Sequence, residues 1–491
     1  MYDSITEVLD TIGGFIWGPF LLIPLLLGTG IYLTIRLGGM QLTRLLPALR
    51  LALFERKDKD ALGGDVSQFQ ALTTALAATV GVGNIVGVAT ALAIGGPGAL
   101  FWMWVTGIFG MASKYSEAFL AVRFRTRDAK GEISGGPQYY LTRGIPNKFG
   151  VFLSLFFAIA AAIAAFGIGN MTQGNAISAN VESSFGVPTW ITGVVLFVLT
   201  LAVLVGGIKS IGRVTSALVP IMIVFYILGA TYILLVNIDA VPAAIGLIFS
   251  SAFTGTSAAG GFAGSAIILV VQMGVARGIF SNESGMGSAA IAAAAAQTTH
   301  PVRQGLVSMT QTFIDTIIVV SFTGLVIVTT GVWDRGEEFA ATMTGDAFTY
   351  GLPGQWGHLV VTVGLILFAY STILGWAYYG ERCMERLFGR GAVMPYRVVF
   401  SVVVFIGSTV PLAIVWSFAD VMNGLMALPN LLGLLILSGL IVRETKHYLR
   451  NDPQLRAGKA QIDGFMEGHP GGIDSYVMPS DAVREHPVRS R

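Results

Sequence analysis

Cysteine, charge and clustered histidine are all scarce in this chain. Among 491 residues there is one cysteine, Cys383, so no internal disulfide framework exists and no Cys cluster holds a metal. The five histidines (His300, His358, His447, His469 and His486) are scattered, without H-E-x-x-H or related spacing. No nucleophile–base pair or Walker motif is visible either, so neither an enzyme nor a cofactor is expected. Charged residues make up 12%, about half of the ~25% of an ordinary soluble domain. A formal net charge of +2 is far from the concentrated basic face that nucleic acid requires, which excludes that partner.

What the chain has in abundance is apolar: 54% of its residues are hydrophobic and its mean hydropathy is +0.71. Its apolar runs greatly exceed the ~10 residues of a barrel strand, and lipid tolerates no unpaired backbone. The fold class is therefore an all-α polytopic membrane protein. Runs of about 20 apolar residues fall near 14–36, 68–93, 98–123, 150–178, 188–207, 212–236, 262–296, 304–331, 357–380, 397–415 and 420–443, about eleven transmembrane helices. The first is preceded by Asp3, Glu7 and Asp10 with no Lys or Arg, the wrong flank for a cleaved signal peptide.

Charge supplies an independent test, because one side of the membrane collects Lys and Arg. Alternate loops and the carboxyl tail hold 28 of the 30 basic residues; only Arg335 lies on the other side, and Arg277 lies inside a span. The opposite loops carry acids such as Glu182, Asp239, Asp334, Glu337, Glu338 and Asp346. An odd number of spans results, with the amino end outside and the carboxyl end cytoplasmic, in a plasma (inner) membrane of bacterial type. Residues 38–60 read as an amphipathic helix on the inner surface. The stretch 240–261 reads as an external re-entrant or capping hairpin, and the polar chain from about 450 onward as a disordered tail.

Two spans are interrupted. The second contains Thr79-Val-Gly81-Val-Gly83-Asn84, and the seventh contains Arg277-Gly-Ile-Phe280-Ser281-Asn282-Glu283-Ser284-Gly285-Met-Gly287-Ser288. Glycine costs a helix about 1 kcal/mol against alanine, and freed backbone groups at membrane depth are tolerated where they face a cavity or ligand. Each interrupted span opens a set of five. Five is odd, so the sets have opposite orientation, the inverted-repeat logic of secondary transporters with a site at the midplane. This divides the chain into 1–65, the first span and surface helix; 66–236, the first repeat; 237–261, an external loop or hairpin; 262–445, the second repeat; and 446–491, the tail.

Several runs are also familiar: F-Q-A-L-T-T-A-L-A-A-T-V-G-V-G-N-I-V-G-V-A-T-A from Phe69, G-G-P-G-A-L-F-W-M-W from Gly95, G-G-P-Q-Y-Y from Gly135, G-I-F-S-N-E-S-G-M-G-S from Gly278 and G-W-A-Y-Y-G-E-R from Gly375. With them the chain resembles the alanine/glycine:cation symporter family from the first span to about residue 443. The resemblance implies a leucine-transporter fold, ten core helices plus one amino-terminal helix, and sodium- or proton-driven uptake of alanine or glycine, with sodium taken as the coupling ion.

An amino acid presents a carboxylate and an ammonium. The carboxylate suits the N–H groups of Gly81, Val82 and Gly83, where glycine permits close approach, and Asn84 lies close to the substrate or to a second cation. The ammonium suits carbonyls near Thr79 and from Gly278 to Phe280. Gln173 is a polar group at membrane depth, placed either to bind the ligand or to tie helices together. Phe280 and Trp376 resemble the family's pocket walls, which would reject a large side chain, and Thr372 lies one turn before Trp376. Carried over from the fold resembled, the sodium site takes the carbonyls of Ala77, Val80 and Phe368 with the hydroxyls of Ser371 and Thr372. Arg277 and Glu283 flank the second break and could neutralise each other. Glu283 or Asp315 would instead carry a proton if coupling used protons.

Overall fold

The computed structural model describes residues 2–18, 20–56, 58, 61, 63–254, 263–336, 339–354, 356–410 and 413–467. Each of the eleven apolar stretches carries helix. Among the described residues six helices are long and apolar enough to cross a membrane, seven if one bent pair counts as a span.

At the amino end two helices, α1 (Tyr2–Ile16) and α2 (Leu22–Arg36), stand where one span over 14–36 was expected. Gly18 followed in sequence by Pro19 is a poor continuation of a helix. The indole of Trp17 donates to the Asp420 carbonyl at 2.9 Å and ties this turn to the far end of the chain. Two short helices, α3 (Met40–Thr43) and α4 (Leu45–Leu53), occupy the expected surface segment. Ala48, Leu51 and Ala52 are buried, whereas Leu42 and Leu46 face outward.

The first set of five opens with α5 (Gln68–Thr79). Ser67 and Gln70 cap it reciprocally, the Ser67 hydroxyl accepting from the Gln70 N–H at 3.2 Å. The helix stops at Val80 and resumes through a widened turn, Gly83–Gly87, into α6 (Val88–Gly95), with a 53° bend between the halves. There follow α7 (Gly98–Arg123), a small antiparallel hairpin of β1 (Thr126–Arg127) and β2 (Ile133–Ser134), and α8 (Pro137–Gly144). Next, α9 (Lys148–Phe166) and α10 (Thr172–Phe185) run on through a widened turn at Gly167–Met171, and α11 (Thr189–Val205) and α12 (Gly207–Val236) complete the set.

In the linking region α13 (Val241–Thr254) is helical; the hairpin expected over 240–261 lies in part, at 255–261, outside the described residues. The second set opens with α14 (Ala263–Asn282), leaves the helix over 283–287, and resumes as α15 (Ser288–Ala294). Then come α16 (Pro301–Thr312) and α17 (Ser321–Thr330) joined by a widened turn Phe313–Val320, α18 (Ala340–Gly351), α19 (Trp356–Phe388), α20 (Val393–Thr409) and α21 (Ala413–Asn451).

A last helix, α22 (Lys459–Met466), departs from the disordered tail expected after 450. It buries Ile462 and Met466, and the loop before it is held by Arg50 and Arg303, which donate to the carbonyls of Gln454 and Ala457 at 2.8 Å each. Apolar anchors and backbone carbonyls, rather than composition, decide its order. Residues 468–491 lie outside the described residues.

Both sets therefore begin with a broken helix, and the two broken helices meet. On the basic side, Val66 and Ala296 form a parallel bridge; Asp65 N–H donates to the Ala295 carbonyl and Gln297 N–H to the Val66 carbonyl, at 2.8 Å each. Glycine lets neighbouring helices close on the breaks: an added Cβ at Gly375 would lie 2.7 Å from Ala78, and one at Gly169 would lie 2.1 Å from the Trp376 Cβ.

Candidate functional site

At the first break the backbone leaves the helix at Val80 (φ −78°, ψ 87°). Gly81 N–H donates to the Asn84 Oδ1 at 2.9 Å, and Val82 N–H reaches the Gln173 Oε1 at 3.4 Å. Two side-chain oxygens thus occupy the N–H groups that a ligand carboxylate would claim at the positive end of the following half-helix. The widened turn at 167–171 aims Gln173 here; its amide donates to the Ile168 carbonyl at 2.9 Å. Gly83 lies under Phe280: an added Cβ would be 3.2 Å from the ring. Thr79 turns elsewhere, bonding the Ala75 and Leu76 carbonyls and accepting from Gln311 at 3.2 Å.

The second break falls later than expected. Gly278 to Phe280 sit inside the last turns of α14, and Gly278 is a packing position, its missing Cβ 2.4 Å from the Thr106 hydroxyl. The helix ends at Asn282, with Glu283 N–H still bonded to the Ile279 carbonyl at 2.8 Å. Past that bond the chain leaves the helix, and the carbonyls of this last turn lie beside the break. The cause is local: Gly285 and Gly287 take φ of +90° and +82° and Glu283 takes +53°, so the chain turns left-handed there.

Four of the five oxygens expected around sodium, all but the Val80 carbonyl, come together, each hydroxyl within hydrogen-bond distance of both carbonyls. Ser371 Oγ lies 2.8 Å from the Phe368 carbonyl and 3.3 Å from the Ala77 carbonyl, and Thr372 Oγ1 lies 3.1 Å and 3.0 Å from the same two. Both hydroxyls are buried. Bonds to Phe368 are the back-bonding any helical Ser or Thr makes; the shared Ala77 carbonyl, on another helix at a break, is what back-bonding does not require. Val80 ends the same helix three residues on.

Asp315 forms a second polar centre. Its carboxylate accepts from the Asn84 amide at 2.7 Å, from Ser281 at 2.9 Å and from Thr316 at 2.8 Å, so one acid joins both broken helices. Glu283 does not pair with Arg277. Its Oε1 accepts from the Trp376 indole at 2.9 Å and its Oε2 from Ser288, while Arg277 sits over the Phe280 ring, 5.7 Å from its centroid. The helix that carries Arg277 ends at Asn282 and Glu283 takes a left-handed backbone beyond it, so helical spacing does not set how the two side chains face. Lys114, grouped above with the basic loops, is buried in α7 and donates to the Glu283 carbonyl at 2.9 Å. Nearby, Glu117 accepts from Gly287 N–H at 3.0 Å and from Asn430 at 2.7 Å. Lys114, Glu117, Ser281, Thr316 and Asn430 are functional candidates that the motif reading passed over. Charges three residues apart inside an apolar run were the available signal for the first two.

A cavity of about 490 Å³ approaches from the side opposite the Val66–Ala296 bridge and touches Gly83, Phe280, Arg277, Trp17, Gln272 and Asp420. Gly81, Gln173, Thr372 and Trp376 are not among its walls, so the Gly83–Phe280 contact stands between cavity and inner site. On the basic face Arg382 is fully buried among Asp128 (3.3 Å), Glu132 (2.6 Å), Glu381 (3.3 Å) and Glu385 (2.8 Å). Arg390 also binds Asp128 and Glu132, at 2.7 and 2.6 Å. Burial pushes the Glu132 carboxyl upward, but hydrogen bonds from Arg390 and Arg382 outweigh it and hold it down to about 2. Asp65 accepts from Ile133 N–H at 2.6 Å, joining the start of the first broken helix to this hub.

Two solved structures share this architecture. One, of MhsT in complex with L-phenylalanine, has a TM-score of 0.53 at 15% identity, covering 75% of this chain and 89% of that one. The other, a Na+-coupled sialic acid symporter in a substrate-bound outward-open state, has a TM-score of 0.51 at 15% identity, covering 93% and 98%. At such identity they speak to fold: this is the leucine-transporter fold, with discontinuous first and sixth core helices.

The narrower assignment comes from sequence, since the family model described as the sodium:alanine symporter family matches residues 2–462, and the chain belongs to that family. It is 53% identical over 446 residues to the sodium/alanine symporter AgcS of Methanococcus maripaludis, covering 90% of this chain and 97% of that one. It is 33% identical over 489 residues to the probable sodium/glutamine symporter GlnT of Bacillus subtilis, covering 99% of each. The chain is accordingly an integral membrane transporter, a sodium-coupled amino-acid symporter and not an enzyme.

Proposed function

We propose that this protein imports a small neutral amino acid, alanine or glycine, with sodium moving down its gradient, by alternating access of one central site. The observation that carries the reading is the meeting of Ser371, Thr372 and the carbonyls of Ala77 and Phe368 at the first break. These are neutral oxygens of the kind sodium prefers, a short step from the Gly81–Val82 N–H pair. The substrate carboxylate takes the N–H groups of Gly81, Val82 and Gly83, displacing Asn84 and Gln173. The ammonium faces the last carbonyls of α14, and the side chain points to Phe280 and Trp376. In this reading the two five-helix sets are the inverted repeats, the basic face is cytoplasmic and closed by the Arg382 hub, and the cavity at Phe280 is the external approach. The relatives named for alanine and for glutamine mark side-chain size as the variable.

Uptake of labelled alanine into vesicles is expected to require an inward sodium gradient, with glycine competing and leucine weak. Uptake indifferent to sodium but driven by a pH gradient would overturn the assignment. It would favour a second reading, proton coupling through Asp315 or Glu283, for which the support is Asp315's contact with both broken helices.

A further inference from the structure

Glu283 combines three features that no other described residue shares. Its backbone is left-handed, φ +53°, one of only two non-glycine residues so placed among those described. Such a backbone costs a side-chain-bearing residue energy and persists where surroundings over-determine it. The surroundings are specific: the buried Lys114 ammonium grips the Glu283 carbonyl at 2.9 Å, and Gly287 N–H, four residues on, is held by Glu117 at 3.0 Å. Finally, the carboxylate is used at both oxygens, by Ser288 and by the Trp376 indole.

The consequence concerns Trp376. Its ring is buried and closely backed at Gly169, where even a methyl would collide with its Cβ and ring at 2.1 and 2.2 Å. Packing therefore blocks retreat on one side, but an indole can still rotate about its χ2 angle. The bond from Nε1 to Glu283 removes that freedom, and a carboxylate acceptor makes the bond stronger than a neutral one.

We propose that Glu283 is the positioning residue that sets the size of the substrate pocket, holding Trp376 in place from the second break. Trp376 is the wall and Glu283 its latch. This rests on the substrate pocket described above. It also ties side-chain selection to the state of the second broken helix, because the latch belongs to the chain segment that leaves the helix.

Purified protein in proteoliposomes is assayed for sodium-driven alanine uptake, with leucine as competitor. Glu283→Ala is expected to lower the leucine concentration needed for half inhibition by roughly tenfold. Glu283→Asp, one methylene short of the indole, should act alike and serves if the alanine variant fails to fold. Glu283→Gln keeps an oxygen for the indole, so it should transport and stay within about twofold of the parent. In a Trp376→Phe background, which lacks the donor, Glu283→Ala should add nothing further. Unchanged leucine inhibition in the Ala and Asp variants overturns the proposal, as does a Gln variant that is as permissive as Ala or that folds without transporting. Trp376→Ala separates the two levels. If it widens selection while the Glu283 variants do not, only the latch fails; if it changes nothing, the pocket reading itself has failed.

Discussion

Gly81→Ala is the sharpest test of the proposed cation site. The added methyl would stand 2.3 Å from Thr372 Oγ1, 3.3 Å from the Thr372 Cβ and 3.4 Å from the Gln173 Oε1. Ordinary contact begins near 3.4 Å, so the hydroxyl has to retreat by about 1 Å. Threonine cannot bend away like the end of a long chain, because branching at Cβ leaves few rotamers. The hydroxyl starts 3.0 Å from the Ala77 carbonyl and 3.1 Å from the Phe368 carbonyl. A displacement of that size separates it from one of them. Overpacking of this kind costs about 1–3 kcal/mol, and every 1.4 kcal/mol charged to the sodium-bound form is about tenfold in affinity. The sodium concentration for half-maximal alanine uptake should therefore rise about tenfold or more, and sodium should lose most of its effect on the melting temperature. Gly83→Ala is the control two residues away. Its methyl would meet the Phe280 ring edge at 3.2 Å and the Ser281 Cα at 3.4 Å, a contact relieved by a few tenths of an ångström. It should weaken alanine more than sodium. A folded Gly81→Ala protein with sodium dependence within twofold of the parent would refute the assignment of Thr372 to the cation.

Phe280→Ala should open the Gly83–Phe280 contact and admit larger side chains, raising leucine uptake relative to alanine severalfold in a competition assay; unchanged selection would remove Phe280 from the pocket wall. Asp315→Asn keeps the shape but replaces an acceptor of three hydrogen bonds. Under sodium coupling it should lower transport without abolishing the response to a sodium gradient; a variant that still binds alanine but loses only a pH-driven component would favour the proton reading. Glu132 is held at about 2, below its ordinary 4.5, so its contribution to stability is present above 4.5 and disappears as pH falls toward 2. Solubilised protein should lose less melting temperature across that interval as Glu132→Gln than as the parent; equal losses would dismiss the hub as a stabilising contact.

The two breaks were legible because glycine and polar residues in the middle of an apolar run have few explanations at membrane depth. Gly81, Val82, Asn84, Gln173, Ser371 and Thr372 lie together in space around the first break. The position of the second break was misread by several residues. Gly278 and Gly285 look alike in sequence, yet one is a packing contact against Thr106 and the other takes a left-handed turn. Pairing of Arg277 with Glu283 failed for a similar reason: spacing along the chain says which residues are near in sequence, but the helix ends between them and Glu283 turns to Trp376 and Ser288. The ordered α22 was hidden because its polar composition conceals two apolar anchors, Ile462 and Met466.

By itself the sequence determined the properties that solvent and chain statistics dictate: a helical membrane protein and the two apolar segments in which helix gives way. Those properties are local or additive, so they survive without coordinates. Tertiary structure decided which groups face one another. It joined Asp315 to both broken helices, set Lys114 on the Glu283 carbonyl and latched Trp376 across from another helix. These contacts bring residues far apart in the chain within 3 Å, and their energy depends on distance and direction that no single helix contains.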